Sequence, residues 1–274
     1  MTVDSTQAAA PSLKDKHRAM WASGHYDRVA REIIPVLGER LVASLGITAG
    51  ERVLDIAAGT GNAAVPAARA GASVVASDLT PELLDIGRAE HPDAGIDWQV
   101  ADAEALPWLD ASYDVVMSTV GVMFAPHHQA AADELVRVCR PGGTIGMINW
   151  TPQGFIGQLF GRMKAYTPPP PPGAQPPPLW GSPEHVRDLF GDRVAELTAT
   201  VDSAVIDRFA DGEQFRDFFK AHYGPTVAAY RNLAGDADRV AALDADLAEL
   251  ASSHDRGNGV MHWDYLLWTG RRTV

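Results

Sequence analysis

Arg52-Val-Leu-Asp-Ile-Ala-Ala-Gly-Thr-Gly-Asn62 is the stretch on which the reading of this chain turns. Val53, Leu54 and Ile56 form a short apolar run with β-branched content, closed on its far side by small residues, which predicts a buried strand entering a tight turn. The alanine-rich run Ala63 to Ala70 then predicts a helix. Strand, glycine turn and helix start together make a cradle for a nucleotide-type ligand, because small residues let the ligand approach the backbone and the helix start offers free amides.

The turn alone does not say which ligand, since Gly59-Thr-Gly61-Asn-Ala-Ala64 also fits the looser dinucleotide pattern. Charge separates the two cases. Asp55 stands four residues before Gly59, where a pyrophosphate would meet a repelling carboxylate and a cationic ligand would be favoured. Two later strand candidates also run into acids: Ser73-Val-Val-Ala-Ser77 into Asp78, and Ile96-Asp-Trp-Gln-Val100 into Asp102. Three neighbouring strand ends would then present three carboxylates.

With these acids, and with the turn signal Arg140-Pro-Gly-Gly143 further on, the stretch from Gly50 to Trp150 resembles the class I S-adenosylmethionine-dependent methyltransferases, whose first motif is an acid followed by a small-residue and glycine turn. The resemblance implies an α/β fold: a Rossmann-like, seven-stranded, mostly parallel sheet with an antiparallel last strand, helices on both faces, and helical insertions after strands five and six. It implies S-adenosyl-L-methionine as cofactor, with Asp55, Ala57, Gly59, Gly61 and Asn62 around its methionine part, Asp78 on the ribose hydroxyls, Leu79 on the purine face, and Asp102 and Ala103 beside the adenine. Ser118, Thr119 and Val120 would line the cofactor near its sulfonium, with Met123 and Phe124 on the acceptor side. Trp21 and Tyr26, large groups early in the chain, are the matching lid residues. This sequence departs from the family pattern at the usual first glycine, which is Ala57, and carries Ala58 where cysteine or glycine is frequent. The Asn/Asp-Pro-Pro-aromatic motif of enzymes that methylate nucleobase amines is absent.

Composition narrows the class further. A chain of 274 residues with 46% hydrophobic content can bury a sizeable core. The formal net charge of -12 disfavours a nucleic-acid partner, which requires a concentrated basic surface. The single cysteine, Cys139, excludes an intramolecular disulfide and a multi-cysteine zinc cluster, and its apolar surroundings predict a buried thiol. No basic start with an apolar core and no membrane-length apolar run is present, so a cytoplasmic location with no membrane partner is expected. The histidines are scattered, and no metal site is expected.

Taken in order, residues 1-12 predict a disordered tail and 13-274 one methyltransferase domain, with a cofactor-binding half at 47-150 and acceptor-side insertions at 151-193 and 210-258. Val29, Ile33, Leu37, Leu41 and Leu45 repeat every four residues, the stripe of helices packed on a sheet, with Pro35 splitting it and Gly46 stopping it. Tyr113 to Ser118 reads as a fourth strand, Gln129 to Arg140 as a helix, and Thr144 to Trp150 as a fifth strand. His127 and His128, at the helix start, are expected to face solvent. Gln153 to Tyr166 reads as an amphipathic helix, and the eleven residues from Pro168 to Pro178, eight of them proline, as a polyproline II strap whose far end Trp180 anchors. Ser182 and Pro183 open a further helix. Val194 to Phe209 predicts a long strand, followed by helices Gly212 to Leu233 and Asp236 to Ser253 and a last strand from Val260 to Trp268.

The acceptor pocket is expected between the amino-terminal segment, the end of strand four and the two insertions, with Met123, Phe124, Trp150, Phe219 and Tyr223 lining it. Such a lining suits a small, apolar or aromatic acceptor. His222, a titratable group inside the aromatic run, is the candidate general base. Two other classes remain open from the residues alone. A nicotinamide-dependent oxidoreductase is one, because Asp78 follows Gly61 by 17 positions, close to the dinucleotide spacing. A non-catalytic cofactor-binding protein is the other. Neither the oligomeric state nor the acceptor atom is legible.

Overall fold

In the computed structural model, residues 11–274 are described; the amino-terminal tail expected at 1-12 lies almost wholly outside them. Ser12 caps α1 (Leu13–Trp21) by accepting the Asp15 amide while Asp15 accepts its own. Helices α2 (Tyr26–Glu32) and α3 (Pro35–Leu45) follow, split at Pro35, which occupies the first turn of α3 where no amide hydrogen is needed. Gly46 ends α3 in the left-handed conformation, at φ 60°.

The strands are β1 (Arg52–Ile56), β2 (Ser73–Asp78), β3 (Asp97–Val100), β4 (Tyr113–Thr119), β5 (Cys139–Trp150), β6 (Val194–Ile206) and β7 (Met261–Arg272). They form one sheet in the order β3-β2-β1-β4-β5-β7-β6. β1 to β5 are mutually parallel, and β7 runs antiparallel to both β5 and β6. The seven-stranded, mostly parallel sheet with an antiparallel last strand is therefore as the sequence implies, and β7 lies inside the sheet with β6 at the edge.

Between the strands lie α4 (Ala64–Arg69), α5 (Pro81–Glu90), α6 (His128–Val138), α7 (Phe155–Met163) and α8 (Pro183–Phe190). Both faces of the sheet are covered, as two consecutive pleats demonstrate. Gly146 meets α3 so closely that a Cβ there would stand 2.4 Å from Leu45. The next pleat back carries Met147, paired with Trp268, and the Trp268 ring stacks on Phe190 of α8 at 4.7 Å. Period-two alternation puts these contacts on opposite faces.

Several boundaries differ from the sequence expectation. The late helix expected from Gly212 to Leu233 is two, α9 (Gly212–His222) and α10 (Gly224–Asn232), because Pro225 starts a new first turn and Tyr223 takes an extended conformation between them. α11 (Ala237–His254) completes the insertion. β5 begins at Cys139, and Arg140-Pro-Gly-Gly143 is a bulge: Tyr113 pairs with Cys139, whereas Val115 pairs with Thr144. The proline strap is not one continuous polyproline helix. A turn at Pro171 to Ala174 and a 3-10 helix at Pro177–Gly181 interrupt it, and Trp180 is fully buried at its end.

His128 corrects the solvent-facing expectation. It is fully buried, its Nδ1 lies 2.9 Å from His185 Nε2, and burial pushes its pKa down to about 4. Cys139 is buried, with its thiol pushed up to about 12 by desolvation.

Candidate active site

The parallel strands β1 to β4 end along one edge of the sheet, so the turns that follow them lie side by side and enclose a cleft of about 660 Å³. Ala57 and Gly59 follow β1, Asp78, Leu79 and Thr80 close β2, Asp102 and Ala103 follow β3, and Val120 and Gly121 follow β4. Lys14, His17 and Trp21 of α1, with Tyr26 of α2, form the roof.

Backbone geometry shapes the floor. Ala57 and Val120 hold φ values of 53° and 52°, a left-handed region that residues with a Cβ rarely occupy. They flank the closest approach of β1 and β4: a Cβ at Gly121 would sit 2.3 Å from the Ala57 carbonyl oxygen. Gly59, at φ 56°, opens toward the cleft, where an added Cβ would meet only Tyr26, at 3.7 Å.

Asp78 carries the polar centre. Its Oδ2 accepts the Gly59 amide at 2.9 Å and its Oδ1 the Thr80 amide at 2.8 Å. Burial pushes its carboxyl up and the two amides offset part of that shift. Each oxygen accepts one hydrogen bond and keeps lone-pair capacity for another. Nearby, Lys14 Nζ stands 2.7 Å from both Asp102 and Glu104, and Glu104 also accepts the His127 amide at 2.7 Å. These part-exposed pairs tie α1 to the end of β3, each contributing on the order of 0.2–1 kcal/mol. Trp21 completes the roof, its ring edge-on to Phe124 at 4.6 Å and to Tyr26 at 5.1 Å.

Asp55 is buried beneath the turn and does not line the cleft; neither of its oxygens has a hydrogen-bond partner. Burial pushes its carboxyl up to about 8, and the Asp78 charge adds to the rise. A carboxyl raised on folding binds its proton more tightly in the folded state, so its contribution is complete at acid pH and is lost as pH rises toward 8. Asp55→Asn should therefore hold its thermal stability better than the native chain between pH 5 and pH 9. Parallel melting curves for the two proteins across that range would refute this.

Other residues singled out by sequence serve the framework. Gly61 faces Trp98, which a Cβ would meet at 2.6 Å; Asn62 donates to the Ala30 carbonyl at 3.0 Å; Met123 is fully buried in the core. Ser118 donates to the Ile56 carbonyl at 2.7 Å and accepts the Val122 amide at 2.9 Å, tying the tips of β1 and β4 together. The Thr119 hydroxyl is buried without a partner. None of these five lines the cleft, whereas Phe124 does.

Trp150, Phe219 and Tyr223 instead line a narrow space with room for about one water, which shares Tyr26 and Val120 with the cleft. His222 lines neither space. Its Nε2 lies 3.0 Å from an Arg28 guanidinium nitrogen, and burial, with Arg28 and His25 nearby, holds its pKa down. Position on the last turn of α9 directs its Nε2 to Arg28, outside the lining of the cleft. His222→Ala is accordingly expected to leave turnover unchanged, and a clear loss in a folded variant would restore it as a candidate. Lys14 and His17 were not anticipated; the capping pair Ser12 and Asp15 was the available sign that a helix precedes Trp21.

Residues 54–147 match a family model described as a methyltransferase domain. Uncharacterized protein Rv1403c of Mycobacterium tuberculosis is 47% identical over 274 residues, spanning 99% of this chain and 100% of that one. Demethylmenaquinone methyltransferase of Renibacterium salmoninarum is 41% identical over 105 residues, 38% of this chain and 44% of its own. The chain belongs to the class I S-adenosylmethionine-dependent methyltransferases. It is accordingly a methyl-transferring enzyme, which sets aside the nicotinamide-dependent and the non-catalytic readings. Solved structures share the methyltransferase fold at low identity. The YcgJ protein of Bacillus subtilis has a TM-score of 0.59 at 17% identity, covering 87% of this chain and 99% of its own. Geranyl diphosphate methyltransferase in complex with its cofactor has a TM-score of 0.54 at 16% identity, covering 87% and 85%. Among the described residues no helix is long and apolar enough to cross a membrane.

Proposed function

We propose that this methyltransferase moves the methyl group of S-adenosylmethionine to a small, mostly apolar or aromatic acceptor held against the aromatic side chains that border the cleft, Trp21, Tyr26 and Phe124. The cleft suits the donor. Asp78 offers spare lone pairs to a ribose diol, and the missing side chain at Gly59 leaves room against the backbone. Leu79 and Ala103, on either side of the Asp78 to Asp102 span, would take the adenine, and Ala57 with Gly59 the methionine part. The bound cofactor supplies an activated methyl on a sulfonium; the chain's own task is to hold donor and acceptor in line and keep water out.

The observation that carries the acceptor class is the apolar and aromatic wall on the Trp21, Tyr26 and Phe124 side of the cleft. Val29, Ile34, Trp150, Ile156 and Phe219 lie behind Tyr26 and Val120, so that wall is apolar in depth. No carboxylate, imidazole or amine stands among these residues. An acceptor there must itself present a nucleophilic atom, since that wall supplies no group that is a base at neutral pH. Burial holds the Tyr26 and Tyr223 phenols protonated, so they act as donors. The formal charge of -12 also supports a small molecule over a nucleic acid. Screening a library of apolar, polar and oligonucleotide acceptors for S-adenosylhomocysteine release tests the proposal. Release confined to strongly polar or nucleic-acid acceptors would overturn it.

A further inference from the structure

β6 forms the outer edge of the sheet, hydrogen-bonded to β7 on one side and, among the described residues, to no strand on the other. Natural sheets blunt such an edge, because the unpaired amides and carbonyls along it are a template for another strand. β6 is blunted at one end only, where a bulge falls between Ala195 and Thr198 and Glu196 takes φ 51°. From Thr198 to Ile206 the ladder is regular, carries no proline or lysine, and holds a single charge, Asp202. The apolar residues of this edge face water: Leu197, Val201 and Val205 are 42%, 55% and 60% exposed. They share one face. Val201 and Val205 pair with Leu266 and His262, members of one alternating series of β7, and Leu197 reaches Gly270 of the same series, 3.0 Å from where a Cβ there would stand.

We infer that β6 is the interface at which two copies of this chain pair, edge to edge and antiparallel, about a two-fold axis at Val201, joining their sheets into one. The spacing selects a second copy as the occupant. Leu197, Val201 and Val205 stand four residues apart, so rotation about Val201 returns the row to itself: Val201 meets Val201 of the second copy, and Leu197 meets its Val205. Charge selects the register. Asp202 then lies opposite Thr200 of the second copy, whereas centring the pair one residue later would set Asp202 against Asp202, a repulsive contact. Centring it one residue earlier would put Val201 opposite Ala199 and Leu197 opposite Ser203, splitting the apolar row. Arg40, which pairs with Asp202 and with the Tyr265 hydroxyl, offsets the one charge that remains at the edge. The cleft follows β1 to β4, and β5 and β7 separate those strands from this edge, so pairing leaves it open. A single strand pair is small beside the roughly 800 Å² per partner of a standard interface, so the dimer should come apart on dilution.

Analytical ultracentrifugation of the full chain from about 1 μM to about 1 mM is the test. A reversible monomer-dimer equilibrium is expected. A monomer throughout overturns the inference, and so does assembly beyond the dimer, because a two-fold pair closes on itself. Val201→Lys sets two lysines face to face and should weaken the dimer at least about tenfold, whereas Thr200→Lys, opposite Asp202 of the second copy, should leave it intact. Both side chains are already exposed, so each variant should keep the native affinity for S-adenosylmethionine and, where the protein is monomeric, the native melting temperature. Equal loss in the two variants, or loss in neither, overturns the register. Disulfide trapping gives a readout that does not depend on affinity. Val201→Cys should crosslink to its own copy on oxidation, the native thiol Cys139 being buried, and Leu109→Cys, 83% exposed and outside β6, should not. Crosslinking of both alike, or of neither, overturns the interface.

Discussion

Asp78→Ala is expected to weaken S-adenosylmethionine binding by about 1–3 kcal/mol, the scale for losing a charge-assisted hydrogen bond in a part-buried site. The structure adds a reason for the upper half of that span. The carboxylate also receives the Gly59 and Thr80 amides, so its removal frees two buried donors and loosens the glycine turn from the end of β2. Asp78→Asn should lose affinity too. Its single carbonyl oxygen can accept one of the two amides, and its NH2 would face the other donor. Calorimetric titration of both variants, with melting curves to show that each is folded, checks this; native affinity in either variant would remove Asp78 from the cofactor site.

The second large effect is expected at Gly121. An alanine there places its Cβ 2.3 Å from the Ala57 carbonyl oxygen, a backbone atom that cannot rotate away, so the tips of β1 and β4 must part. Overpacking of this kind costs about 1–3 kcal/mol or more of stability. It also moves Ala57 and Val120, which border the cleft, so cofactor affinity should fall together with stability. Gly59→Ala is the control. Its Cβ enters open space, 3.7 Å from Tyr26, and its penalty is the left-handed φ of 56°, roughly 1–2 kcal/mol. Thermal melts and titrations on the two variants separate the cases, and Gly121→Ala behaving no worse than Gly59→Ala would contradict the packing of these tips.

Local chemistry made much of the fold legible. β1 was readable because Val53, Leu54 and Ile56 are followed by residues too small to continue a core, and Pro35, Gly46, Ser182 and Pro183 act through backbone constraints that are the same in any fold. The acids Asp78 and Asp102 were readable because each ends a strand. What local pattern could not settle was which side of a turn a residue faces. Gly61 and Asn62 are as close in sequence to the cofactor cradle as Gly59, yet one packs on Trp98 and the other on the Ala30 carbonyl, contacts set by α5, β3 and α2.

The sequence by itself determined the strand, turn and acid pattern of the cleft, because turn chemistry and charge act within short windows, and its resemblance to the methyltransferases carried the class of enzyme. Only the tertiary structure decided that Asp55 is buried behind the turn, that Tyr26 and Val120 divide two spaces, and that Trp263, from the last strand, joins Trp150, Phe219 and Tyr223 around one of them. Those are facts of sheet order and helix packing. β7 inserts between β5 and β6, which brings residues more than a hundred positions apart in the chain into the same wall. His222 illustrates the same limit from the other side: one residue from Tyr223, it points to Arg28, because consecutive positions at a helix end leave in different directions.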